Sequence, residues 1–78
     1  MRTTFHEVEL GKAVIQNATE LGTEQLVVTV HPESKAAIQI QIRQDTNGSS
    51  PTSSSIAINP HGLEQLVRWL REEGALSQ

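Results

Sequence analysis

Three histidines, a single aspartate and a serine-rich run are the side chains of this sequence that could support acid–base, nucleophilic or metal chemistry. A nucleophilic serine needs a base within reach. The hydroxyls of "SSPTSSS" (49–55) lie outside any G-x-S-x-G elbow, in a stretch whose composition predicts a turn. Asp45 abuts the same stretch. His6 falls near the start of the first expected element, His31 at a strand end and His61 just after the last strand. His31 and His61 could converge at one end of a sheet, but zinc needs at least a third ligand, and no spacing signals one. The chain has no cysteine, which excludes disulfides and thiolate metal sites. Gly11, Gly22, Gly48, Gly62 and Gly74 are too dispersed to cradle a phosphate. The sequence therefore predicts no catalytic residue, no metal and no cofactor.

Binding is the chemistry that remains. In "AAIQIQIRQ" (36–44) isoleucine occupies every second position, with Gln39, Gln41 and Arg43 between or beside. Alternation of this kind predicts a strand with one apolar and one polar face. The polar face would also carry Val27, Thr29, His31, Ser53, Ser55, Ala57 and Asn59. It reads either as an ordinary solvated face or as a hydrogen-bonding platform for a partner. Trp69 is the sole tryptophan. It projects about a quarter turn or more from the centre of an apolar helical stripe, at roughly 100° per residue. It either closes the edge of a small core or, with Arg68 and Glu73 beside it, anchors a partner, as tryptophan often does at interfaces.

Composition narrows the partner. The chain has 78 residues and a net charge of −3. That length suits one domain over 1–78. A domain this small buries only about 60% of its unfolded surface, so self-association or tight partner binding is the expected reinforcement. Nucleic-acid binders concentrate cations to neutralise phosphates. Here Arg2, Lys12, Lys35, Arg43, Arg68 and Arg71 are scattered and outnumbered by nine acids, which disfavours nucleic acid. "MRTTFHEVEL" carries no apolar leader, and no apolar run approaches the roughly 20 residues of a membrane span. A cytoplasmic location is the expectation.

The elements that must position these residues can be read from periodicity. Thr4 and Glu7 form a capping-box pattern. Leu10, Val14, Ala18 and Leu21 recur at helical spacing before Gly22, which predicts a helix over roughly 5–21; a strand over 3–10 followed by a shorter helix is the alternative. "EQLVVTVH", "AAIQIQIRQ" and "SSIAIN" read as three strands, with a turn at "HPESK". Parity requires core residues to oppose core residues across an antiparallel pair, which sets Val30 against Ile38, Val28 against Ile40 and Leu26 against Ile42. Asn47-Gly48 invites a two-residue type I′ turn, but that register would set Ile40 against Ser55. An odd-length loop or bulge, flexible over about 45–54, restores Ile40 opposite Ile56. Asn59 as N-cap, Pro60 at the first helical position and the stripe Leu63, Leu66, Val67, Leu70 predict a final helix ended by Gly74, with a loose tail at 74–78.

The expected fold is thus α+β: a two-layer αβββα chain, with a three-stranded antiparallel meander and both helices packed on the isoleucine face. By element order alone this resembles the double-stranded-RNA-binding domain. The basic residues which that family carries at the start of its last helix are replaced here by "NPHGLEQL", so no RNA-binding role transfers. The expected function is a small non-enzymatic module that binds another protein or protein complex, or a second copy of itself, as inhibitor, regulator or adaptor. Phage-type inhibitors of host defence (anti-CRISPR-like proteins) share that general character. The alternative is nucleic-acid binding through the polar sheet face.

Overall fold

The computed structural model describes residues 1–30 and 38–77. Five strands, β1 (Arg2–Glu9), β2 (Lys12–Thr19), β3 (Gly22–Val30), β4 (Ile38–Thr46) and β5 (Thr52–Ile58), precede one helix, α1 (Pro60–Glu72). The strands form a single antiparallel sheet in chain order, β1-β2-β3-β4-β5. This corrects the expected αβββα arrangement: where a first helix was expected the chain makes a hairpin, and the likeness to the double-stranded-RNA-binding domain goes with it.

The reason lies in the residues of 2–19. Thr3, Thr4, Val8, Val14, Ile15 and Thr19 are β-branched, stiff at χ1 and well suited to a pleated surface. Of the four apolar residues at helical spacing, two are hairpin tips: Leu10 is 99% exposed and Leu21 72%. Gly11 does not weaken a helix but makes the β1–β2 turn, at φ +79°. Its carbonyl accepts from the Val30 N–H at 2.7 Å, tying that turn to the end of β3. The register slips between Glu7 and Glu9, leaving Val8 as a bulge on β1.

Parity gave the other pairings as they stand. Leu26 opposes Ile42, Val28 opposes Ile40 and Val30 opposes Ile38, and Ile40 opposes Ile56. The last pair before the β4–β5 connection is Gln44 with Thr52, an odd-length link. No non-glycine residue has positive φ among the described residues, so Asn47 does not adopt the type I′ conformation. Instead Thr46 accepts from the Ser49 N–H at 3.0 Å, and Gly48 takes the positive φ. Within the stretch 45–54, Asp45 and Thr46 continue β4 against Thr23 and Gly22. The turn expected at 32–35, the strand start at 36–37, His31 and Gln78 lie outside the described residues.

Asn59 alone separates β5 from α1, and its Oδ1 accepts from the Gly62 N–H at 2.7 Å. At the other end the Ala75 N–H reaches the Leu70 carbonyl and the Gly74 N–H the Arg71 carbonyl, a Schellman stop with Gly74 at φ +78°. The start of the tail is therefore hydrogen-bonded back to the helix.

Gly22 opens β3 where three strands meet. Its φ is +144°, and a Cβ there would land on the Asp45 carbonyl oxygen, 2.9 Å from the Thr46 Cα. Gly22→Ala is expected to cost about 2 kcal/mol or more in denaturant unfolding, because both the backbone conformation and the space exclude a side chain. At Gly48 a Cβ meets nothing within 4 Å. Gly48→Ala should then cost only the left-handed penalty, about 1–2 kcal/mol. Equal costs at the two sites would contradict the close approach at Gly22.

Candidate interaction surfaces

Pleating sends alternate residues to opposite faces, and the register assigns them row by row. On one face Phe5, Ile15, Leu26, Ile42 and Ser54 form a row across all five strands. Beside it run Glu7, Ala13, Val28, Ile40 and Ile56, then Val30, Ile38 and Ile58. Beyond the first row lies a polar margin of Thr3, Asn17, Glu24, Gln44 and Thr52. There the Thr3 hydroxyl donates to Asn17 Oδ1 at 2.7 Å, and Asn17 Nδ2 donates to Glu24 Oε1 at 3.0 Å.

This apolar face is open. Phe5 is 66% exposed and Ile56 62%, Ile15 and Ile42 are also exposed, and Leu26, Val28, Ile38, Ile40 and Ile58 are only half-buried. Among the described residues the one buried hydrophobic side chain is Val27, at 4%, on the opposite face between Val14 and Gln41. Shallow depressions on the apolar face lie between Ile15, Leu26 and Ile42, between Phe5, Ala13 and Val28, and between Ile40, Ile42 and Ile56. The expectation that helices pack on the isoleucines fails for a physical reason: one of the two helices does not exist, and α1 buries none of its residues.

The opposite face holds the glutamines where parity placed them. Gln39 lies in the row Lys12, Thr29, Gln39, Ala57. Gln41 lies in the row Val14, Val27, Gln41, Ser55, and Arg43 in the row Gln16, Gln25, Arg43, Ser53. Much of its hydrogen-bonding capacity is spent within the face: Gln41 Nε2 donates to Ser53 Oγ at 2.8 Å and Gln25 Nε2 to Gln16 Oε1 at 2.7 Å. Arg43 lines a polar dent with Asp45, Thr52 and Ser53. Pairing with Val14 and Ala18 places His6 and Arg2 on this face too, but Arg2, Lys12 and Arg43 fall in different rows and make no cluster.

Trp69 is 53% exposed, and Leu66, Arg68 and Glu73 are exposed with it, whereas Leu63, Val67 and Leu70 are half-buried. Trp69 is therefore a surface residue on the flank of the stripe. Among the described residues no hydrogen bond joins Gln39, Gln41 or Arg43 to α1. His6 lies within β1 instead of near a helix start, and His61 in the first turn of α1. No group of three or more His, Cys, Asp or Glu among the described residues could hold a metal ion.

The extension of the apolar face onto Phe5, Ala13 and Ile15 was missed in the sequence. Its signal was the density of β-branched residues on either side of Gly11. Comparison with protein-family models, curated proteins and solved structures yields no significant match. Among the described residues no helix is long and apolar enough to cross a membrane.

Half-exposure of Trp69 has a direct readout. Its fluorescence in the isolated chain should be red-shifted and readily quenched by acrylamide. Trp69→Ala should leave the chain folded at a cost of about 1 kcal/mol or less, as for a surface side chain. Blue-shifted, quencher-resistant emission, or unfolding on substitution, would return Trp69 to the core.

Proposed function

We propose that this chain is a non-enzymatic protein-binding module, acting as an inhibitor, regulator or adaptor by covering the surface of another polypeptide. The observation that carries this reading is the uncovered apolar face of the five-stranded sheet. Contiguous exposed apolar patches larger than a few hundred Å² are uncommon on monomers and mark interaction sites. The radius of gyration points the same way: it is 14.3 Å, against about 11.5 Å for a compact chain of this length. Surface that other folds bury internally is here offered outward.

The half-exposed rim of α1 around Trp69, with Arg68 and Glu73, adds a second contact region on the same molecule. Desolvated aromatic anchors commonly contribute 2 kcal/mol or more. The glutamine face must give up bonds to water, and bonds such as Gln41 to Ser53, before it gains any, so each new bond returns only about 1 kcal/mol. Of these two regions the Trp69 rim therefore contributes more affinity for a partner, and Gln39, Gln41 and Arg43 tune specificity.

The test is affinity capture from the source cell, with identification of both protein and nucleic acid retained. Trp69→Ala should weaken capture of a protein partner at least about tenfold, equivalent to about 1.4 kcal/mol, while Gln41→Ala changes it little. Capture should survive moderate salt. Retention of nucleic acid that falls steeply with salt and requires Arg43 would replace this reading with the nucleic-acid one.

A further inference from the structure

The open face sets three requirements on whatever covers it. The first is area. A compact chain of 8.5 kDa exposes about 4,700 Å², whereas this one exposes 6301 Å². The excess is about 1,600 Å² over the whole chain, hairpin tips and α1 included; half of it on the apolar face would already supply the roughly 800 Å² that each partner contributes to a standard interface. The second is availability. With Val27 as the one buried hydrophobic residue described, the cover has to be present when the chain folds, as in dimers whose monomers are not stable alone. The third is chemistry. Across β2, β3 and β4 the middle rows are apolar, and among the described residues the face's charges are Glu7, at the β1 end of one of those rows, and Glu24, in the polar margin.

A second copy of the chain satisfies all three. We propose that this protein is a homodimer in which the apolar sheet faces of two copies pack against each other, an inference that rests on the protein-binding reading above and names the occupant of that face. Two sheets stacked face to face pack about 10 Å apart with interdigitating side chains. A two-fold axis between the sheets and across the strands sets the row Phe5, Ile15, Leu26, Ile42, Ser54 against the second copy's row Glu7, Ala13, Val28, Ile40, Ile56. Ile15, Leu26 and Ile42 then meet Ala13, Val28 and Ile40, while the Phe5–Glu7 and Ser54–Ile56 pairs lie at the two borders. It also carries the two Glu24 side chains to opposite ends of the interface, where they do not repel. The contact is isologous and closes on itself. It leaves the glutamine face pointing outward on both sides.

The experiment is sedimentation equilibrium over a wide dilution series, with thermal unfolding recorded at each concentration. It compares the wild-type chain with Ile56→Glu and Ser55→Glu. These neighbours on β5 are both exposed in the single chain and point to opposite faces, so only an interface on the apolar face separates them. The wild type and Ser55→Glu should sediment at twice the chain mass, with an unfolding midpoint that rises with concentration. Ile56→Glu should weaken the dimer at least about a hundredfold, as expected of a desolvated anchor present twice. If Ile56→Glu fails to fold, the wild-type mass and the concentration dependence of its midpoint still decide the matter. A wild type at single-chain mass with a constant midpoint overturns the dimer, as does a dimer that tolerates both Ile56→Glu and Ile42→Glu. In the monomeric case the protein-binding reading has its own fate. A chain that unfolds cooperatively only with a different protein bound keeps that reading, whereas a rigid monomer indifferent to Ile56→Glu removes both.

Discussion

Pleating in a sheet without a second layer is the constraint from which the rest of this structure follows. Each residue of a strand must point to one side or the other, and a one-residue slip exchanges the sides completely. Five strands joined in chain order leave little freedom to correct an error in one pair at the next. The pairing of Leu26 with Ile15, and of Ile15 with Phe5, therefore carries the face of Leu26 and Ile42 across β2 to β1. The same constraint gathers apolar side chains on one face with no described element burying them.

How much of this was legible depends on the stretch of chain. At 38–43 and 55–58 apolar residues recur at every second position, and parity alone recovered the pairings, because an isoleucine set against a serine would place a core residue opposite a solvated one. The final helix was equally clear, since Asn59, Pro60 and Gly74 mark its ends by stereochemistry. Residues 2–21 were not legible in the same way. Leu10, Val14, Ala18 and Leu21 satisfy a helical period by coincidence, two of them being turn residues whose apolar character serves no internal packing. Gly11 was treated as a defect in a helix when its positive φ was the informative fact.

The interaction surfaces were legible by half. Parity put Gln39, Gln41 and Arg43 on one face with Val27, Ser53 and Ser55, and that face is as expected. Misreading β1 and β2 then supplied a helix to cover the isoleucines and hid the more informative surface behind them. The ambiguity over Trp69 came from its place a quarter turn off the stripe, where small differences in packing decide exposure. Only coordinates could resolve it, and they place the indole at the surface.

The bulge at Val8 has a consequence for how this sheet meets others of its kind. A flat sheet with open flanks invites end-to-end strand addition, the route to fibrils. On the β1 flank the bulge interrupts the ladder between Glu7 and Glu9, and a disrupted, negatively charged border is a poor template for a further strand. On the opposite flank β5 is the shortest strand, seven residues beginning just after Pro51, which has no N–H to donate. Lateral growth is thus discouraged at both borders, and the exposed isoleucines do not lie beside a ready template for endless strand addition.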